Sequence, residues 1–387
     1  MAGNDQMDPP KEEHLFILDW GDASAHLLYA HVVEGKVDLI DAVSRPSLGV
    51  KDGVPRDEEQ ASKTIQQLLD YYQTEHRLQV QTLFVLVKTG GKLAHRVKDV
   101  TPYQEYLTKY HEGRPPSVPP NLKEVPHVYD PFDAFASESE AFRYVFALPP
   151  GMREIIQEAL FKVECFVEGF VSLPRIGVKS RSRIQPGLVL GIFHEISIAM
   201  AAKGDDLPFY REFRFSTGLI QQRICDNLKI PEDRASRLLK WVIRTPSPNE
   251  FATAHPKDQD FFMSPDFKKV IDDTGEELEK LCRALREDMI ECGAWDLGFD
   301  HVYLLGQGKD LFQSFAFLSD ILPFQPLDLP LLHFDQLSSQ AQDPELAPMV
   351  RLVDHCLHLR DLRRKGMSEE EKGSRLKNWA KGIFPLG

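Results

Sequence analysis

Two segments of the chain have apolar runs that are interrupted by short polar turns. The first, "HLFILDWGDASAHLLYAHVVEGKVDLIDAV" (14–43), has turn signals at 19–22 and 34–36, which predicts three consecutive strands. The second, "GLVLGIFHEISIAMAAKGDDLPFYREFRF" (187–215), is interpreted as two strands joined by a polar turn at 203–206. Helix and strand patterns follow each segment, so the chain is predicted to contain two similar α/β halves.

Other segments place apolar residues at helical spacing. Residues 56–77, 152–163 and about 266–292 each predict an amphipathic helix with one buried face. Apolar runs at 81–87 and 301–306 predict buried strands. The buried faces of the first two helices are predicted to contain Ala61, Ile65, Leu68, Leu69, Tyr72, Met152, Ile155, Ile156, Ala159, Leu160 and Val163.

Prolines between 103 and 137 exclude the interiors of regular helices and sheets, so this stretch is interpreted as irregular. It marks a small subdomain inserted in the first half. The predicted organisation has five parts. They are a disordered N terminus (1–13), a first lobe (14–100), the inserted subdomain with a return to the first lobe (101–180), a second lobe (181–335) and a C-terminal helical tail with an amphipathic end (336–387).

Composition narrows the class of protein. The 387 residues are 42% hydrophobic and carry a formal net charge of −13, which argues against a nucleic-acid partner because phosphate binding needs a concentrated basic face. No apolar run reaches the roughly 18 residues of a membrane span. The five cysteines are scattered without a CxxC pair, which is typical of reduced thiols in a cytoplasm. We therefore expect a cytoplasmic protein without a cysteine-based metal site.

Three stretches resemble the actin-like ATPases, and within them the FtsA/PilM group. "LFILDWGDASAHLLYA" is similar to the first phosphate hairpin of that family, with its Asp-x-Gly after an apolar strand. "LVLGIFHEISIAM" with the helical segment after it resembles the second hairpin, and "HVYLLGQGKDLFQSFAFL" resembles the adenosine motif. The resemblance implies an α/β, actin-like (ribonuclease H-like) fold with two lobes, duplicated mixed sheets and a small inserted subdomain.

The resemblance also implies a nucleotide site between the two hairpins. In active relatives the turn amides hold the phosphates, glycines let the backbone approach closely, and aspartates hold magnesium and its waters. Carried over residue by residue, the implied contacts to ATP are Asp19, Gly21, Ser24, Ser197, Gly218, Gly306 and Gly308.

The chain departs from the family pattern at several of these places. Gly191 stands where relatives have an aspartate, Phe193 where they have a glycine, and Gln307 interrupts the glycine pair of the adenosine motif. Hydrolysis needs a positioned metal and water. We therefore expect that the two hairpins are retained as structure but have lost their catalytic function. No residue is predicted to be catalytic or to bind a metal. Weak binding of ATP with magnesium is left open.

The family resemblance leaves three functions to consider. A PilM-like scaffold would assemble a type IV pilus or type II secretion machine and bind the cytoplasmic tail of a PilN-like membrane protein. An FtsA-like protein would tether cell-division filaments, with a division protein as its partner. An active ATPase or sugar kinase would need an acid near the second hairpin. Glu195 is the candidate, but its neighbours Ile192, Ile196 and Ile198 leave its facing ambiguous. We favour the first function.

The C-terminal segment "KGSRLKNWAKGIFPLG" (372–387) combines an apolar stripe with lysines. Such a pattern is typical of a helix at a membrane surface, and it resembles the membrane-targeting helix of FtsA. A terminal helix docked on its own protein explains the pattern equally well. The membrane interpretation predicts a location peripheral to the inner membrane, and its contacts would be Leu376, Trp379, Ile383 and Phe384.

Overall fold

The computed structural model describes most of the chain. The described residues are 12–34, 36–51, 53–88, 94–112, 130–135, 143–176, 187–203, 206–244, 260, 264–311, 318–323, 325–328, 336–339, 341–342 and 346–366.

The strands, in chain order, are β1 Glu12–Trp20, β2 Ser24–Val33, β3 Lys36–Pro46, β4 Val50–Lys51, β5 Val54–Pro55, β6 Thr82–Val87, β7 Ala94–Val97, β8 Asp130–Phe135, β9 Arg143–Leu148, β10 Phe166–Ser172, β11 Gly187–Ile192, β12 Ser197–Lys203, β13 Asp206–Phe213, β14 His301–Leu305, β15 Gln325–Asp328 and β16 Gln336–Leu337. The α-helices are α1 Glu58–Glu75, α2 Thr101–His111, α3 Met152–Phe161, α4 Thr217–Leu228, α5 Glu232–Arg244, α6 Pro265–Glu291, α7 Leu318–Ile321 and α8 Ala347–Gly366.

The two large sheets have the same internal order. The first runs β10-β6-β1-β2-β3, with the short β16 added at its edge, and the second runs β15-β14-β11-β12-β13. In each sheet three consecutive strands pair antiparallel, and two later strands join in parallel beside the first of the three. The predicted pair of similar α/β halves is therefore present, and we call them the first and second lobes.

The predicted helices form with the expected buried faces. In α1 the side chains of Ala61, Ile65, Leu68, Leu69 and Tyr72 are buried, and the Asp57 side chain caps the helix by accepting from the Gln60 amide. In α3 the side chains of Met152, Ile156, Ala159 and Leu160 are buried. Ile155 and Val163 are partly buried and pack against the same core. The amphipathic spacing thus identified the inner faces of both helices.

The segment 187–215 holds three strands, so the prediction of two strands was wrong. An additional turn lies at 193–196, between β11 and β12, and the Phe193 amide closes it by donating to the Ile196 carbonyl oxygen at 2.9 Å. The turn escaped prediction because Phe193 is buried and Ile196 packs against the core, and these apolar residues continue the strand pattern. The break at 203–206 is confirmed as the passage from β12 to β13.

The inserted subdomain is more regular than the prolines predicted. It contains α2 and a three-stranded sheet of order β7-β9-β8. Most of α2 and all of β8 fall within the stretch interpreted as irregular. Pro102 lies in the first turn of α2, where no intrahelical amide bond is lost. Pro131 lies at an irregularity in the edge strand β8. Residues 113–129 lie outside the described part of the chain.

One apolar core joins the two lobes. Leu15 and Leu28 of the first sheet, Met200 and Tyr303 of the second, and Val353 of α8 are buried members of the same cluster. The inserted subdomain adds a second connection, since the Tyr210 amide on β13 donates to the Tyr144 hydroxyl on β9 at 3.2 Å. Lobes that share a hydrophobic core are less free to move than lobes joined by a polar interface.

A buried charge cluster fixes the inserted subdomain to the first lobe. Asp133 on β8 is 4% exposed. It accepts from Arg175, whose Nε lies 3.0 Å from both carboxylate oxygens, and from the Ser172 hydroxyl. Burial alone would raise the pKa of Asp133, but Arg175 holds it below its ordinary value. His355 of α8 and His111 of α2 interact electrostatically with this pair.

Candidate functional site

The turns of two hairpins, one from each lobe, face each other across a narrow cleft. The β1–β2 turn (21–23) is closed by the Gly21 amide, which donates to the Ser24 carbonyl oxygen at 3.1 Å. The β11–β12 turn (193–196) approaches it and presents Glu195, whose Oε1 accepts from the Asp22 amide at 3.0 Å. The carboxylate of one lobe is therefore held by the turn backbone of the other.

Gly21 makes this approach possible. A Cβ atom at position 21 would lie 2.7 Å from the Glu195 Oε1 and 3.0 Å from the Ser24 carbonyl oxygen, so any side chain there would displace the carboxylate. Close approach of a ligand to a glycine backbone is the role that the family resemblance gave to Gly21. In this structure the group that approaches is a carboxylate of the same chain.

Asp19 lies at the end of β1 and is already paired. The residue is 1% exposed, and its carboxylate accepts from the ammonium of Lys88, which follows β6. Burial raises the pKa of Asp19, and the neighbouring Lys88 opposes that rise. Lys88 is a cleft residue that was not predicted from the sequence. The available signal was its position just after a strand parallel to β1, because the carboxyl ends of parallel strands meet at one edge of a sheet.

Phe193 fills the back of the cleft. A Cβ atom at position 191 would lie 2.7 Å from the Phe193 ring, so the ring occupies the space that a side chain at Gly191 would need. The Lys88 Nζ lies 5.2 Å from the ring centroid, which is a cation–π distance. The two departures from the family pattern at 191 and 193 thus form one packing arrangement.

The predicted nucleotide contacts fall into two groups. Asp19, Gly21 and Ser24 line the cleft together with Lys88 and Glu195. Ser24 Oγ lies 2.8 Å from His26 Nε2, in a chain that continues to Ser44. The remaining four residues, Ser197, Gly218, Gly306 and Gly308, have close packing contacts in the second lobe. Their assignment as nucleotide contacts stays a prediction.

The contacts of Ser197 and Gly218 fix the second hairpin to the start of α4. The fully buried Ser197 hydroxyl donates to the Phe215 carbonyl oxygen at 2.6 Å. The Gly218 amide donates to the His194 carbonyl oxygen at 2.9 Å, and a Cβ at position 218 would lie 2.5 Å from that oxygen. These contacts hold the turn at 193–196 rigidly against the helix.

The glycines of the adenosine-like motif also pack on the second hairpin. Gly306 has a φ of +76°, and a Cβ there would lie 2.3 Å from the Ile192 carbonyl oxygen. A Cβ at Gly308 would lie 2.4 Å from the Ile192 side chain. Both positions therefore need glycine for the packing of this loop, independently of any ligand.

The described side chains leave little room in the cleft. The space open to the centres of water molecules is about 10 Å³ between Asp19, Gly53 and Glu195, and about 20 Å³ between Ser24, Lys88 and Gln307. This enclosed space is room for one or two waters, so a triphosphate with its magnesium would need the facing side chains to move. Among the described residues no group of three or more His, Cys, Asp or Glu side chains is placed to hold a metal ion.

The predicted membrane contacts Leu376, Trp379, Ile383 and Phe384 lie outside the described residues, so they stay a prediction. In the part of the chain that the structure covers, every helix is too short or too polar to cross a bilayer.

Comparison with known proteins identifies the fold. No family model matches the chain, and no curated protein sequence matches it. Among solved structures, PilM in a PilM–PilN type IV pilus biogenesis complex matches with a TM-score of 0.56 and 16% identity, covering 89% of this chain and 98% of that one. The chain therefore has the actin-like ATPase fold, and the fold class predicted from the sequence is confirmed.

Two further solved structures are similar at lower scores. The ethanolamine utilization protein EutJ from Carboxydothermus hydrogenoformans has a TM-score of 0.49 and 12% identity, with 91% of this chain and 90% of that chain covered. MreB 5 of Spiroplasma citri, bound to AMPPNP, has a TM-score of 0.40 and 11% identity, with 96% and 99% covered.

Proposed function

We propose that this protein is an actin-fold scaffold with a degenerate nucleotide site. It would act at the cytoplasmic face of the inner membrane, where it would help to assemble a type IV pilus or type II secretion machine. The observation that carries the proposal is the closed cleft, in which Glu195 and Phe193 occupy the space between the two hairpins. The likeness in fold to the PilM of a PilM–PilN complex supports the choice of machine.

The chemistry of the cleft argues against efficient hydrolysis of ATP. A magnesium ion would have to displace the Lys88 ammonium from Asp19, the one acid retained from the family pattern. The Phe193 ring lies on Gly191, where relatives have their second aspartate. A nucleotide phosphate would also meet the Glu195 carboxylate at the Asp22 amide. Two negative groups in a water-poor cleft repel each other strongly.

A scaffold role agrees with the way the lobes are joined. The apolar core runs from the first sheet through α8 to one face of the second sheet, and the inserted subdomain bonds to β13. A protein that holds partners in fixed positions benefits from such rigidity. A protein that opens and closes on a nucleotide needs lobes that separate.

ATP turnover tests the proposed loss of catalysis. We expect the wild-type protein to release phosphate from magnesium-ATP at a rate within twofold of Asp19→Asn, because neither protein positions a metal. A coupled phosphate-release assay at pH 7.5 measures both rates, and circular dichroism checks that the variant is folded. Turnover by the wild type that disappears in Asp19→Asn contradicts the proposal.

Peptide binding tests the proposed partner. The candidates are synthetic peptides for the cytoplasmic tails of single-span membrane proteins encoded beside the gene, each with a scrambled peptide as control. We expect one native tail to bind with a Kd of about 10 μM or tighter, about 7 kcal/mol, as measured by fluorescence anisotropy. Equal binding of native and scrambled sequences, or no binding by any tail, contradicts a PilN-like partner.

A further inference from the structure

The Glu195 carboxylate lies at a place where the fold otherwise accepts an external anion. It comes from the second lobe and reaches a backbone amide in the first lobe across 173 positions of the sequence. Its side chain is 14% exposed. The bond to the Asp22 amide has the geometry by which turn amides bind phosphate oxygens, with a glycine making room for the oxygen.

The two turns that form this contact are each held in place by other hydrogen bonds. On the first lobe, the Asp22 side chain accepts from the Gly53 amide at 2.8 Å, and the Ala23 carbonyl oxygen accepts from the Ser47 amide at 3.0 Å. On the second lobe, the turn that carries Glu195 is anchored through the amides of Thr217 and Gly218. Little conformational entropy is lost when the carboxylate binds, because neither turn has to be ordered.

We propose that Glu195 is a built-in anionic ligand that clasps the two lobes together in place of a bound phosphate. This inference deepens the proposed function, on which it rests, by giving the mechanism that keeps the cleft closed without nucleotide. A carboxylate tethered to the site has a high effective concentration, so it excludes free oxyanions at millimolar levels. We call the contact between Glu195 and the Asp22 amide the Glu195 clasp.

The clasp predicts that removing the carboxylate uncovers an oxyanion site. Glu195→Ala should bind inorganic phosphate at least tenfold more tightly than the wild type, as measured by isothermal titration calorimetry. A parallel titration with magnesium-ATP shows whether the uncovered site binds phosphate alone or also admits a nucleoside. Glu154→Ala is the matched control, because it removes one negative charge from an exposed position on α3.

Hydrogen exchange gives a readout that needs no ligand. The Asp22 amide should exchange at least tenfold faster in Glu195→Ala than in the wild type, and it should be unchanged in Glu154→Ala. Glu195→Gln keeps an acceptor at the same reach, so it should retain most of the protection of Asp22. Because it lacks the negative charge, it should still bind phosphate more tightly than the wild type, which decides the matter if the alanine variant fails to fold. Unchanged phosphate affinity together with unchanged exchange at Asp22 overturns the clasp.

The failure of this inference is distinguishable from the failure of the proposed function. Slow exchange at Asp22 that depends on Glu195 supports the clasp whether or not the protein turns over ATP. Conversely, if the wild type turns over ATP and this turnover requires Asp19, the scaffold proposal is wrong, but the exchange of the Asp22 amide still tests the clasp.

Discussion

Replacing Arg175 with methionine should lower the free energy of unfolding by about 3–5 kcal/mol, because a buried ion pair loses one partner. The Asp133 residue, which is 4% exposed in the wild type, would keep only uncharged donors, the Ser172 hydroxyl and the Ala134 amide. Methionine fills much of the space of the arginine side chain, so the effect reports the lost charge more than a cavity. Urea denaturation at pH 7, followed by both fluorescence and circular dichroism, measures the change.

Two variants control this experiment. Lys63→Met removes an ion pair with Glu59 in which both side chains are more than half exposed, and it should leave stability nearly unchanged because solvent screens such a pair. The double variant Arg175→Met with Asp133→Leu removes both charges and should recover most of the loss. A cost below about 1 kcal/mol for Arg175→Met alone would show that Asp133 does not need its partner.

Lowering the pH from 7 to 5 should destabilise the protein through two histidines. Burial first and Arg175 second lower the pKa of His355 to about 3, and burial with Arg363 lowers that of His111 to about 4. Both values are below the ordinary 6.5, so the unfolded chain binds these protons first. Stability is therefore complete above pH 6.5 and is lost as the pH falls towards 4 and 3, by about 2 kcal/mol for each histidine at pH 5.

Glutamine variants separate these histidines from other titrating groups. His355→Gln should remove about half of the stability change between pH 7 and pH 5, and the double variant with His111→Gln should remove most of it. The midpoints of urea denaturation, measured at intervals of half a pH unit, give the dependence of stability on pH for each protein. Parallel curves for the wild type and both variants would mean that the acid sensitivity comes from elsewhere in the molecule.

The order of strands and helices could be predicted because burial leaves a periodic pattern. The apolar runs of β1 to β3 identified these strands, and the apolar stripe of α1 identified that helix and its inner face. The turn at 193–196 could not be predicted in this way, since Phe193 packs inward and Ile196 contacts the core. A turn whose residues are apolar leaves the strand pattern uninterrupted.

The composition of the cleft was only partly predictable. Asp19 and Gly21 were found through the hairpin that contains them, and the structure places them together. The apolar neighbours of Glu195 leave its facing ambiguous in the sequence, and its direction follows only from the turn. Lys88 reaches Asp19 through the pairing of β1 with β6, a tertiary relation to which the sequence points only through the position of Lys88 directly after the apolar run of β6.

The helix α8 packs against β1, a strand that the ribosome synthesises much earlier. Arg360 donates to the His14 carbonyl oxygen at 2.9 Å, across 346 positions of the chain, and Arg364 pairs with Glu13. At about 5–20 residues per second, a ribosome delivers α8 roughly 20–70 seconds after β1. During that interval the side of β1 that α8 covers lacks this helix, so we expect the first sheet to complete its packing only late in synthesis.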